Sequence, residues 1–256
     1  MSRDTELTTD HDGHVVIITM NRPPHNFANE ALMRRLADTL RALDSDANCR
    51  AVVMAAEGKT YCAGADFSAS REGAIDSDPS PFYQQVMRLY GFSKPIVAAV
   101  QGAAVGAGLG LAVMADFRVS CNEARFTANF TRLGFHPGFG LSITLPRLVG
   151  EQKAALMFYT GRRLTGTQAL AIGLVDELVP QAEVRDRAIA LAQEIAGAAP
   201  IALQSTRATL RGDLALRIEA VNRRELARQQ IEFATQDFKE GVAAMAARRA
   251  PVFQGM

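Results

Sequence analysis

The sequence predicts an α/β fold, with a mixed core over residues 1–197 and a helical region over 198–256. Three observations carry this prediction. Short apolar runs of strand length alternate with stretches of helical periodicity through the first two thirds of the chain. Glycine-rich turns separate several of those runs from the helices that follow. Beyond Gly197-Ala-Ala-Pro200 the periodicity is helical throughout.

Residues 14–20 (HVVIITM) form the first expected strand, closed by Asn21-Arg-Pro-Pro24. Asn29 stands where it can cap a helix whose Leu32, Leu36, Leu40 and Leu43 share one face. Ala51–Ala56 is the next strand. Residues 68–81 are polar and aperiodic, read as a mobile loop near a ligand entrance or as an ordinary surface loop. Asp78-Pro79 then starts a helix with proline at its first position, and Lys94-Pro95 ends that helical segment. Ile96–Val100 is of buried-strand type, and 117–121 and Arg125–Thr127 are short strands. Pro137-Gly138 turns the chain into helices that reach about Tyr159. Thr165 and Gln168 have capping-box spacing, and 174–179 is a last strand-like run. Helices are expected over 185–198, 201–211, 213–234 and 237–247.

With 256 residues and 48% hydrophobic composition the chain can bury a sizeable core, as one large domain or two. Its net charge of +1, with charges interspersed, gives no nucleic-acid or polyanionic-membrane footprint. Cys49, Cys62 and Cys121 have neither metal-ligand spacing nor a disulfide pattern, so no metal is expected. The amino-terminal residues contain no apolar signal core, and no run of eighteen apolar residues occurs. A soluble, cytoplasmic setting without a membrane is the expectation.

Gly102, Gly106, Gly108 and Gly110 follow the strand Ile96–Val100 and lead into an apolar helical run to Met114. Such a turn lets a ligand approach the backbone and aims helix N-terminal N–H groups at it. The spacing is not G-x-G-x-x-G, and the Lys-Ser/Thr of a phosphate loop is missing. A second turn of small residues, Tyr61-Cys-Ala-Gly-Ala-Asp66, follows the strand Ala51–Ala56. Two strand-to-loop turns with uncluttered N–H groups meet the requirement of an oxyanion hole, which stabilises negative charge on a carbonyl oxygen.

YCAGADF at 61–67 and QGAAVGAGLGLAVMADFRV at 101–119 resemble the crotonase (enoyl-CoA hydratase/isomerase) superfamily. The resemblance extends through NRPPHN at 21–26, LGFHPGFG at 133–140, LTGTQALAIGLVDELVP at 164–180 and the closing DFKEGVAAMAARRAPVF. It implies a crotonase-like spiral of repeated strand-strand-helix units and a C-terminal helical region that packs subunits into a homotrimer or dimer of trimers. It also implies an acyl-CoA thioester as ligand and lyase or isomerase chemistry in fatty-acid metabolism. No cofactor is expected beyond the coenzyme A of the substrate. By motif position the oxyanion-hole amides belong to Ala65 and Ala107. Contacts to the coenzyme or acyl group are implied for Arg22, His25, Lys59, Ala63, Asp66, Phe67, Phe130 and Leu133, with Lys59 the best-placed cation for the coenzyme's phosphates.

Two glutamates flank the water in hydratases of this family, and here their motif positions hold Gly110 and Phe130. Neither side chain transfers a proton, so ordinary hydration is not expected. A dehalogenase-type aspartate is absent too, with Gly138 and Phe139 in its place. His136 is a candidate base, or else a loop histidine with its polar edge satisfied. Tyr61 and Tyr159 are weaker candidates, and Asn129 can position water or a substrate oxygen. Asp116 with Arg118 reads as a structural ion pair, and Asp237 with Glu240 as helix N-terminal charges. Cys62 adjoins the turn but has no basic partner nearby in sequence. The open alternatives are an atypical isomerase, C–C hydrolase, decarboxylase or thioesterase on a CoA thioester, and a non-catalytic acyl-CoA binder.

Overall fold

The computed structural model describes residues 6–66 and 78–256. Ten strands in the described residues form two sheets whose members alternate along the chain. The larger sheet has the order β1 (Leu7–Asp12), β2 (Val15–Met20), β3 (Ala51–Ala56), β5 (Ile96–Val100), β7 (Phe117–Ser120), β10 (Glu177–Leu178). The smaller has β4 (Thr60–Cys62), β6 (Ala103–Val105), β8 (Arg125–Thr127), β9 (Leu164–Thr165). Thus β3–β4, β5–β6 and β7–β8 each place one strand in either sheet, and parallel pairing stacks these pairs side by side. This is the spiral of strand-strand-helix units that the resemblance implied.

Helices α1 (Glu30–Asp44), α2 (Ser80–Leu89) and α3 (Ala107–Met114) return the chain between turns of the spiral. Asn29 caps α1, accepting from the Leu32 amide at 2.9 Å, and Leu32, Leu36, Leu40 and Leu43 are buried as their spacing requires. α4 (Leu141–Val149), α5 (Glu151–Thr160) and α6 (Gly166–Ala171) follow, the last with its Thr165–Gln168 capping box closed at both hydrogen bonds. α7 (Val184–Ala196) packs across β3, β5 and β7, and α8 (Pro200–Arg211), α9 (Leu214–Glu232) and α10 (Gln236–Ala246) complete the chain.

Several expectations need correction. The chain has a strand before residue 14: β1 pairs antiparallel with β2 across Gly13. Its sequence LTTDHD hides it, because an edge strand exposed along most of its length needs no apolar alternation. α2 begins at Ser80 rather than Pro79, with Asp78 accepting from the Ser80 amide at 3.0 Å. Of 174–179 only Glu177–Leu178 pairs as strand. Asp116 and Arg118 are not each other's ion-pair partners. Arg118 is buried and bridges Asp176 at 2.8 Å, while Asp116 holds Arg207 and Arg211 of α8 at 3.0 and 2.8 Å. Most of the polar segment 68–81 lies outside the described residues, as does Phe67.

Candidate active site

The parallel pairing of β4 with β6, Thr60 opposite Ala103 and Cys62 opposite Ala104, brings the two glycine-bearing turns together at the same end of the small sheet. Backbone contact sets their spacing. A Cβ on Gly108 would stand 2.0 Å from the Cys62 carbonyl oxygen, and one on Gly102 would stand 1.9 Å from that of Lys59. Gly64, at φ +115°, similarly faces the Val105 carbonyl. Only glycine permits these approaches.

Each turn leaves one amide directed away from its own scaffold. Ala65 forms a parallel bridge with Ala28, in which the Ala28 amide donates to Gly64 O at 2.8 Å and the Asp66 amide to Ala28 O at 2.9 Å. The Ala65 N–H therefore projects from the opposite side of that bridge. Ala107 is the first residue of α3, so its N–H has no acceptor within the helix. Gly106 before it adopts φ +52° and ψ −111°, the mirror image of an extended conformation.

Asn26 latches the 21–28 loop to the first turn. It is fully buried at φ +49°; its Oδ1 accepts from the Arg22 amide at 2.8 Å, and its Nδ2 donates to Glu57 O and Thr60 O at 2.9 and 2.7 Å. Sequence reasoning missed this residue, although Asn is the non-glycine residue most at home in that conformation. The Ala63 amide donates to His25 O at 2.9 Å, tying the turn to the loop. Arg22, His25 and Asp66 line a cavity of about 380 Å³ together with Glu6 and Phe27. Within it Arg22 reaches Glu6 at 3.2 Å and Asp66 at 3.8 Å. Lys59 is exposed beside this region, its carbonyl packed on Gly102.

The places expected for hydratase carboxylates are filled by rings. A Cβ on Gly110 would lie 2.4 Å from Phe139 Cγ, and Phe139 is buried with φ +66°. Tyr90 fixes this wedge by donating its hydroxyl to Phe139 O at 2.8 Å. Glu225 of α9 is also fully buried and accepts from the amides of Gly140 and Ser142 at 2.8 and 3.1 Å, so its carboxylate occupies the N-terminus of α4. Burial pushes the Glu225 carboxyl above the ordinary range despite these bonds. Phe130 begins a 3-10 turn (Phe130–Leu133), and its Cζ lies 3.9 Å from the position a Gly106 Cβ would take. It packs edge-to-face on Phe135, which also meets Phe233 and Phe238. Leu133 is buried, its backbone covered by Gly241 of α10.

His136 lies on a different cavity, of about 680 Å³, with Phe135, Phe158, Asp237 and Phe253 in its wall. This cavity shares no lining residue with the one at Arg22 and His25. The His136 amide donates to Glu232 at 2.6 Å, its carbonyl accepts from Gln229 at 2.8 Å, and its Nδ1 stands 2.7 Å from Pro137 O. Tyr159 is 78% exposed, whereas Tyr61 is fully buried and its hydroxyl has no partner among the described residues. Burial pushes the Cys62 thiol up to about 11, which makes it a poor nucleophile. Asp237 and Glu240 do more than charge a helix end. Asp237 accepts from the amides of Gln254 and Gly255, and Glu240 from Val252 N and Arg249, so both carboxylates fasten the last residues to α10. No cluster of metal-ligating side chains occurs among the described residues, and no helix there is long and apolar enough to cross a membrane.

A two-sheet spiral with paired amide-bearing turns defines the crotonase class of fold. The chain belongs to the enoyl-CoA hydratase/isomerase family, whose model matches residues 10–256. It is 34% identical over 255 residues to 2,3-dehydroadipyl-CoA hydratase of Escherichia coli K12, covering 98% of this chain and 99% of that protein. It is 31% identical over 262 residues to the carnitinyl-CoA dehydratase of the same strain, which it covers completely. Among solved structures, an enoyl-CoA hydratase/isomerase from Pseudoalteromonas atlantica superposes with a TM-score of 0.89 at 31% identity, covering 98% of this chain and all of that one. A carnitinyl-CoA hydratase from Mycobacterium avium gives 0.88 at 29% identity, with 98% and 99% covered.

Proposed function

We propose that the protein binds an acyl-CoA thioester and stabilises its enolate oxygen with the N–H groups of Ala65 and Ala107, without ordinary hydratase chemistry. The observation that carries this reading is the ring of Phe139 against Gly110, with Phe130 at the second carboxylate position. Hydration of an enoyl thioester needs a water activated by an acid and a base, and aromatic rings supply neither. The amides remain suited to an enolate, because fixed N–H dipoles in a partly dry site stabilise charge as it develops.

The coenzyme end would lie along the 21–28 loop, where Arg22, His25 and Asp66 share a cavity, with Lys59 and Ala63 flanking the turn and Phe67, next to Asp66 in the sequence, as a further contact. Phe130 and Leu133 would bound the acyl group. His136 would act as a base only through Nε2, since Nδ1 faces Pro137 O. A homotrimer or dimer of trimers in the cytoplasm, with no cofactor beyond the substrate's coenzyme A, completes the proposal.

The test is calorimetric titration with acetoacetyl-CoA, which forms an enolate readily, and with butyryl-CoA, using wild type and Ala107→Pro. Proline removes one N–H at a helical position that tolerates it. Preferential loss of acetoacetyl-CoA binding supports the two-amide site. Equal binding of both ligands by both proteins would overturn it.

A further inference from the structure

We infer that α9 sets the acyl selectivity of the site. Its Glu225, Gln229 and Glu232 seat the Phe139 ring over the first turn of α3, and the ring restricts the thioester to acyl groups unbranched at the α-carbon. The inference rests on the acyl-CoA reading above, and adds to it a substrate class and three positioning residues.

The three side chains are spaced i, i+4 and i+7, so they lie along one face of α9. All three bond the backbone of the 136–142 segment. Glu232 accepts from the His136 amide at 2.6 Å, and Gln229 donates to the His136 carbonyl at 2.8 Å. Glu225 accepts from the amides of Gly140 and Ser142 at 2.8 and 3.1 Å. Capping of α4 explains only the Glu225 bonds, because His136 lies ahead of that helix. The polar face of α9 therefore grips the chain on both sides of Phe139. Glycines let the segment lie close on its supports. A Cβ on Gly138 would stand 2.0 Å from the Tyr83 hydroxyl and 2.6 Å from Gln229 Nε2, and one on Gly140 would stand 2.5 Å from Ile218 Cγ2.

The grip maintains a costly conformation. Phe139 sits at φ +66°, which a bulky side chain rarely adopts. A ring needed only as filling could sit on an ordinary backbone, whereas strained residues held by their surroundings cluster at ligand sites. The ring's position shows what it meets. Helix side chains tilt toward the helix N-terminus, so a ring at the Cβ position of Gly110 stands over the turn that begins with Ala107. Phe82 of α2 backs that ring, with centroids 6.3 Å apart. A thioester oxygen at the Ala107 amide would bring its α-carbon toward Phe139. A straight chain presents only hydrogens there, but an α-methyl branch needs volume that the ring fills. A closely packed aromatic wall yields little to one added methyl group.

The experiment is calorimetric titration with butyryl-CoA and isobutyryl-CoA, isomers that differ in the α-methyl branch. The proteins are wild type, Phe139→Ala, Glu225→Gln, Gln229→Leu and the double variant Glu225→Gln with Phe139→Ala. Wild type should prefer butyryl-CoA on the order of tenfold or more. Phe139→Ala should lose most of that preference. Glu225→Gln and Gln229→Leu should each reduce it several-fold, and the second serves if the first does not fold. A purely structural role would lower the fraction of competent protein for both ligands and leave the ratio of their dissociation constants alone. The double variant should match Phe139→Ala, because Glu225 acts through the ring. An undiminished preference in both α9 variants, or a further effect of Glu225→Gln once the ring is gone, would overturn the inference. If wild type binds both isomers equally, the acyl-CoA reading survives and this one fails. If it binds neither, both fail.

Discussion

The ring of Phe139 stands where a side chain at Gly110 would have to go, with only 2.4 Å between Phe139 Cγ and the Cβ position of residue 110. The pairing is built in from both sides. Phe139 is held at φ +66° between Gly138 and Gly140, with its carbonyl bonded to Tyr90. Restoring an acid at 110 therefore requires removing the wedge as well. Gly110→Glu should cost roughly 1–3 kcal/mol or more from overpacking. Phe139→Ala in the same chain should recover part of that loss. Urea midpoints of the single and double variants measure it, and additive losses would mean that the two residues do not share one volume.

Ala107→Pro removes one amide proton with little harm to the fold. Proline suits the first position of a helix, and the residue before it must be extended. Gly106 satisfies that demand in mirror image, at φ +52° and ψ −111°. Turnover of any thioester that the protein converts should fall about 10²–10³-fold. The melting temperature should stay close to wild type.

Asn26→Ala should destabilise the protein by about 1–3 kcal/mol, because it removes the partner of part-buried backbone groups of Arg22, Glu57 and Thr60. Asn26→Gly relieves the positive φ but not the lost bonds, so it should recover only the smaller, conformational part. Both variants should also weaken acyl-CoA binding, since the loop carries Arg22 and His25. Thermal unfolding with and without butyryl-CoA separates the two effects.

Glu225 imposes a pH dependence of definite sign. Its folded carboxyl is raised by burial, so the folded state holds a proton that the unfolded chain releases near the ordinary value of about 4.3. The stability linked to this group is fully present below that value and is lost as pH rises through the raised folded one. Glu225→Gln does not titrate. The stability of wild type relative to this variant should therefore fall with rising pH across that window, as followed by urea unfolding at several pH values. A rising difference would show that the bonds from Gly140 and Ser142 outweigh burial.

Much of this architecture was legible in the sequence because single residues impose local rules. Asn29 and the Thr165–Gln168 pair announce helix starts, and the leucines of α1 mark its buried face. The glycines at 102 and 108 mark backbone approaches that no side chain survives, and Gly106 marks a backbone conformation at φ +52° that favours glycine. What stayed hidden was non-local or unpatterned. β1 is exposed along an edge and carries no apolar alternation. Arg118 meets Asp176 across 58 residues, and Asp116 meets Arg207 across 91, so proximity in sequence misled. Glu225 looks like any helix glutamate until α9 is placed against the 138–142 turn. Phe139 looks like core until its left-handed backbone turns the ring onto Gly110.

In the proposed reading, the two amides hold a thioester while rings stand where hydrating acids would be. Its most direct test is mass spectrometry of crotonyl-CoA incubated with the pure protein in heavy-oxygen water, with binding measured in parallel. The expected result is that the thioester binds and that no labelled 3-hydroxybutyryl-CoA forms above the blank. Labelled product at an enzymatic rate would contradict it, and would mean that groups other than those at 110 and 130 activate water.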